Sequence, residues 1–308
     1  MKKFYSILAV ITAMLVVCAT ACSENQRSEN LEKVYEDDSC DVLTRSECDE
    51  EVVAFAELNQ ELMQLSEIYP PEVMARANNT FWGGLKKIAV ADAVGACYVI
   101  GVTWSLSYAK LGAIYSSLRE FVELMDPNNP ALDYLPSFPE LNPNININTI
   151  NGVAEYAGYI HNLVLYDVYT ELGDNLRILP EEYIKETIVR KLSRYDSGSS
   201  EVYSYFVRDT ISSERCSLLM DDFDQLTPQQ FIARIASEVP DRSNEINIFG
   251  TFCHQYNGYV NQETKDDYTV AFMNTVRNSG VSVNSKNYII SAVSVANYSD
   301  KLWEPVEN

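Results

Sequence analysis

The sequence predicts a mainly α protein: a helical bundle with a central small-residue-rich helix or helical hairpin, preceded by a lipidated flexible tether. Three observations lead there. Apolar residues recur at three- and four-residue steps over much of the chain, the stripe of an amphipathic helix. Small residues fall at every fourth position through part of 84–124. Long strand-like runs are scarce.

The N-terminus sets the tether. Met1, Lys2 and Lys3 form a short basic start, and an apolar run from Phe4 to Val17 follows, broken by Ser6 and Thr12. That run is shorter than the roughly 20 residues a bilayer span needs, and small residues follow it, so 1–21 reads as an export signal. Cys22 has Ala21 and Thr20 before it, with Ala19 where leucine is commoner. This pattern predicts cleavage before Cys22 and acylation of its thiol. Cys18 is disfavoured by the bulk of Val17 and Val16. The alternative is an ordinary soluble export signal cut near Ala21. A multiply acylated cysteine meets the requirement of two or more chains for durable anchoring. Ser23 and Glu24, rather than Asp, follow the cysteine, which favours an outer over an inner membrane.

Residues 22–51 are polar and acidic, including Glu36-Asp37-Asp38 and Asp49-Glu50-Glu51. Such a composition supports no core, and it carries no Asp-x-Asp-x-Asp-Gly calcium loop. Cys40 and Cys48 lie close together in this stretch and are candidates for a local disulfide, since thiols outside the cytoplasm tend to pair. Cys97, Cys216 and Cys253 sit in apolar helical contexts, where cysteine behaves as a small hydrophobe.

An N-terminal helical region is predicted over 52–125. Val52, Phe55, Leu58, Leu62 and Leu65 mark its first stripe, and Pro70-Pro71 ends that helix. Pro71-Glu72 can open a short second one. Ala89, Ala93, Cys97, Gly101, Ser105, Ala109, Ala113 and Ser117 then place a small residue at every fourth position, and backbones approach closely along such a line. Two readings stand: a buried helix or hairpin at the centre of a bundle, and a segment around 88–118 able to insert into a bilayer. The hydroxyls, the tyrosines and Lys110 favour burial. So does geometry, because a period of four drifts around a helix of about 3.6 residues per turn.

Residues 126–151, with Pro127, Pro130, Pro136, Pro139 and Pro143 and alternating asparagines from Asn142 to Asn148, read as a long loop. The C-terminal region, 152–308, is helical again. Leu179-Pro180-Glu181-Glu182 opens one helix with acids where its dipole favours them. Thr227-Pro228-Gln229-Gln230 resembles a capping box, with Phe231, Ile232, Ile235 and Val239 as one face. Val270, Met273 and Val276 mark another helix ending near Gly280. The last runs from about Ser285 through Ile289, Ala292, Val293 and Ala296 to Trp303.

Charge excludes one class of partner. Acids outnumber bases 44 to 23, and loss of the leader removes Lys2 and Lys3 but no acid. Such a surface repels phosphate backbones, which are held by clustered Lys and Arg, so nucleic acid is not an expected partner. A hydrophobic content of 46% is ample for a core.

Catalytic signatures are sparse. The two histidines are His161 and His254, and there is no H-E-x-x-H pair, G-x-S-x-G elbow, P-loop or dinucleotide fingerprint. No metal or cofactor is expected. Cys253 and His254 are neighbours, which a helix points about 100° apart, a poor nucleophile–base pair. His161-Asn162, in the segment Tyr156 to Leu163, is the candidate polar site. A His and Asn near a helix start can bond neighbouring backbone groups. Asp92 would receive the imidazole proton if the small-residue helix packs against the helix at 152–173.

Gly158-Tyr159-Ile160-His161-Asn162 followed by Leu163 resembles a Gly-x-x-His-Asn motif of uncharacterised Bacteroidetes-type envelope lipoproteins. Ala91-Asp92-Ala93-Val94-Gly95-Ala96 and Ser294-Val295-Ala296-Asn297-Tyr298-Ser299, with Trp303 beyond, are similar to two further patches of those proteins. The resemblance implies an envelope address and no activity. The expected function is accordingly a non-enzymatic lipoprotein held on the membrane by its anchor and binding a protein or glycan, for which exposed members of the 20 tyrosines would serve. The alternatives are a membrane-active toxin or immunity-type protein using 88–118, and a hydrolase using His161.

Overall fold

Helix α1, Arg45–Ile68, begins inside the acidic stretch rather than after it. In this computed structural model the described residues are 45–70, 110–118, 153–195, 204, 206, 226 and 228–303. Residues 51–308 form one unit, and of the unit 1–50 the description covers 45–50. The described parts are a mainly α helical bundle, with no strand among them.

The α1 stripe needs one correction. Phe55, Leu58, Leu62 and Leu65 are buried, but Val52 is exposed, and Ala54 takes the core side in its place. The helix is fastened at both ends. The Glu51 carboxylate accepts the Ser282 backbone N–H at 3.1 Å from each oxygen, and Tyr259 donates its hydroxyl to the Tyr69 carbonyl at 2.6 Å. Pro70 follows directly, and the residue before a proline is pushed out of helical geometry.

The helical segment 110–118 is buried at every position except the half-buried Tyr115. Ala113 and Ser117, the last two members of the four-residue line, are wholly buried. Residues 84–109, the rest of that line, lie outside the described residues, as do the predicted helix after Pro71 and the loop 126–151. No helix among the described residues is long and apolar enough to cross a membrane.

A 3-10 turn at Ala154–Tyr156 runs straight into α2, Ala157–Leu172. Every residue of α2 from Ala157 to Leu165 is buried. The helix ends at Gly173, whose φ of 49° lies in the left-handed region that glycine tolerates best. After Pro180, α3 covers Glu181–Leu192 with Glu181 and Glu182 in its first turn and Arg190 and Lys191 in its last, each matched to the dipole. Its Lys185 is buried, pairs with Glu181 at 2.8 Å, and lies over the rings of Tyr115 and Phe206 at 5.1 and 5.5 Å. This joins α3 to the segment 110–118.

Helix α4, Pro228–Glu238, starts on its proline and buries Phe231, Ile232 and Ile235, with Val239 just beyond its end, as the stripe predicted. Helices α5, Ser243–Tyr256, and α6, Gln262–Asn278, share a stack of rings. Phe252 lies parallel to Tyr268 at 5.7 Å and edge-on to Phe272 at 5.2 Å. The predicted α6 stripe holds at Val276, which is buried, and at Met273, which packs partly buried against the core. Val270 is exposed, and the buried face is Tyr268, Thr269, Phe272 and Val276. The aromatic contacts with α5 outweigh the aliphatic spacing.

Helix α7, Val283–Trp303, packs against α2, α5 and α6. It is buried without a break from Tyr288 to Asn297. The stripe Ile289, Ala292, Val293 and Ala296 is therefore one side of a helix covered all round. Small residues let its neighbours close in, and its polar side chains bond to them, as the site shows next.

Candidate functional site

The first turn of α2 meets α7 where Gly158 faces Ser294. A Cβ built on Gly158 would stand 2.2 Å from the Ser294 carbonyl oxygen, so no larger residue fits without moving a backbone. At that contact Gly158 donates its N–H to the Ser294 hydroxyl at 3.0 Å. The same hydroxyl donates to the Glu155 carbonyl at 2.7 Å. Early turns of a helix leave N–H groups without intrahelical partners, and α2 has no side-chain cap of its own. Ser294 supplies one from the neighbouring helix.

One turn on, a relay crosses three elements. Asn162 donates from Nδ2 to the Tyr298 carbonyl of α7 at 3.0 Å. That carbonyl only accepts, so the amide must present its NH2 there and its Oδ1 elsewhere. Oδ1 lies 2.9 Å from His161 Nδ1, which must therefore carry the proton. The neutral ring then has a bare Nε2, 3.2 Å from the Ser117 hydroxyl, and that nitrogen accepts the hydroxyl proton. One carbonyl on α7 thus fixes an amide, a tautomer and a hydroxyl in turn. Burial lowers the His161 pKa to about 4, against smaller opposing effects of Asn162 and the Ala113 carbonyl, so the ring is neutral near pH 7.

The order hydroxyl, imidazole Nε2, Nδ1–H, amide oxygen is that of a nucleophile, base and orienting group. Two features oppose catalysis. Ser117 and His161 are 0% exposed and Asn162 is 3% exposed, and a base is most effective with a pKa near the working pH. The arrangement fits a joint between helices.

The sequence singled out His161 and Asn162, and the structure places them together. Asp92, the predicted acceptor, lies outside the described residues, and the partners found are Ser117, Asn162 and the Ala113 carbonyl. The predicted packing partner, the small-residue segment, does supply Ala113 and Ser117. Two patches of the resemblance, 158–162 and 294–299, meet here. Cys253 is buried while its neighbour His254 is exposed, so α5 points the two apart. Cys22, Cys40, Cys97 and Cys216 lie outside the described residues, as does the side chain of Cys48. Among the described residues no three His, Cys, Asp or Glu side chains converge. Of the described tyrosines, Tyr166 and Tyr183 are exposed. Tyr159, Tyr256, Tyr259, Tyr268 and Tyr288 are core.

Two further polar clusters escaped the sequence. Tyr256 donates its hydroxyl toward Asp300 at 3.0 Å and Asn297 at 3.1 Å, and Lys265 binds the same Asp300 oxygen at 2.8 Å. Burial, then the Asp300 charge, raises the Tyr256 phenol well above its ordinary pKa. At the start of α7, Ser285 Oγ stands 2.8 Å from Glu245 and 3.1 Å from Glu51, with Arg242 paired to Glu245. Each cluster joins residues far apart in the chain, and no local signal marks them.

These joints define the class: a mainly α bundle whose helices are fastened by buried polar contacts. Comparison with known family models, curated proteins and solved structures finds no match.

Proposed function

We propose that this chain is a lipid-anchored protein of a bacterial envelope, outer membrane rather than inner, which acts by binding a protein or glycan and not by catalysis. The observation that carries the non-enzymatic part is the burial of Ser117, His161 and Asn162. Among the described residues, the grouping most like a catalytic array is buried. The anchor rests on Lys2-Lys3, the short apolar run and Ala21-Cys22, and the resemblance to Bacteroidetes-type lipoproteins supports the same address. Large exposed side chains such as Met63 and Ile68 on α1 and Ile178 beyond α2 offer apolar contact area.

Two measurements test the reading. Mass spectrometry of the protein from membranes should find acyl groups on Cys22 as the first residue, lost in Cys22→Ala. A free, unacylated chain overturns the anchor. A fluorophosphonate probe should leave Ser117 unlabelled, and labelling that disappears in both Ser117→Ala and His161→Gln would establish a hydrolase instead.

A further inference from the structure

The cluster near the end of α7 holds more than an ion pair needs. Asn297 and Asp300 are three positions apart on α7 and so share one face. Tyr256, the last residue of α5, reaches both with its hydroxyl, 3.1 Å from Asn297 Oδ1 and 3.0 Å from Asp300 Oδ2. Lys265, near the start of α6, binds that same Oδ2 through Nζ at 2.8 Å and stands 5.0 Å from the centre of the Tyr256 ring. All four side chains are buried. Gln262 also bonds the phenol, and the Phe252 ring closes one side at 5.1 Å from that of Tyr256.

Together these groups are an amine, an amide, and the acid and hydroxyl that an exchange between them requires. An ammonium is no nucleophile until it gives up a proton. Asp300 Oδ2 is in contact with it and takes that proton. Burial favours the transfer, because two charges in a dry medium become none. An amide carbonyl is a weak electrophile, and the Tyr256 hydroxyl is aimed at its oxygen, where negative charge grows as Nζ adds to Cγ. The protonated Asp300 then returns its proton to Nδ2, one helical turn away on the same face. Burial also keeps out the water that would otherwise compete for the amide.

We propose that Lys265 and Asn297 become joined by an isopeptide bond, which staples α6 covalently to α7. The hydrogen bonds described above are those of the chain before linkage. In the reaction the Nζ–Cγ bond forms and the Cγ–Nδ2 bond breaks. A lysine ammonium and an asparagine amide give one secondary amide and one ammonium ion, so nothing is oxidised or reduced. Asp300 carries the proton, and Tyr256 steadies the amide oxygen.

Peptide mass spectrometry of the full chain tests the staple, after reduction, unfolding in urea and digestion with trypsin. Unlinked protein is cut after Lys265 and releases 243–265 and 287–301 as separate peptides. A linked Lys265 has no ammonium for trypsin to recognise. One branched species should then carry 243–277 and 287–301, lighter than the two together by about 17 Da, one ammonia. Fragmentation should place the branch at Lys265 and Asn297, and Asn297→Ala should abolish it. Asp300→Ala keeps both reacting residues but should form the branch at least about a hundredfold more slowly, its helix content checked by circular dichroism. If that variant does not fold, the branch point in the wild-type chain decides alone. Separate peptides from the wild-type chain overturn the proposal. So does a branch at Asp300 with loss of about 18 Da, one water, or undiminished branching in a folded Asp300→Ala.

Discussion

Gly158 and Ser294 stand 136 positions apart, yet the amide of the first donates to the hydroxyl of the second at 3.0 Å. A methyl group on Gly158 would sit inside the Ser294 carbonyl, and overfilled contacts of this kind destabilise by about 3 kcal/mol. Gly158→Ala should therefore lower the melting temperature, measured by circular dichroism. Ser294→Ala should lose less, about 1 to 2 kcal/mol, since it removes one shared cap without forcing helices apart.

His161→Ala should destabilise the fold by about 3 kcal/mol, because it opens a cavity and leaves Asn162 and Ser117 without their shared partner. Chemical denaturation at neutral pH reads this directly. An unchanged midpoint would show that the ring is not a joint.

The pH dependence has a definite sign. In the unfolded chain the imidazole takes its proton near pH 6.5, and in the fold only near 4. Between those values the unfolded state binds more protons, so stability is complete above 6.5, declines as the pH falls, and stops declining below 4. The full loss is about 3 kcal/mol. Glu171 acts in a lower window. Bonds from Arg190, then Lys191, lower its pKa from 4.5 to about 2, so its contribution is present above 4.5 and vanishes as the pH falls through 2. Denaturation midpoints collected from pH 8 to pH 3 should show the upper step, and His161→Gln should lack it.

Asp300→Leu should cost about 3 to 5 kcal/mol, because Lys265 is left buried without its counter-ion. Adding Lys265→Met should recover much of that loss, since an apolar pair replaces a stranded charge. Tyr256 keeps Asn297 as an acceptor in either variant. A double variant no more stable than Asp300→Leu would mean that the ammonium is held by other groups.

Periodicity was enough to read the helical class, the starts of α3 and α4 at Pro180 and Pro228, and the core faces of α4 and α7. Those are local matters of propensity, capping and stripe. It misplaced Val52 and Val270, whose exposure depends on which neighbour covers the helix. Gly158, His161 and Asn162 stood out as residue types in a pattern, but their partners did not. Ser117 lies 44 positions before His161 and Tyr298 lies 136 after Asn162. A hydrogen bond needs an approach within about 3 Å, and such an approach is a property of packed helices, not of spacing along a chain. The amino-acid order thus prescribed which segments coil and which residues seek burial. Packing chose the tautomer of the imidazole, the hydroxyl it faces and the pairing of Lys265 with Asp300, because each depends on what α7 or the segment 110–118 brings within reach.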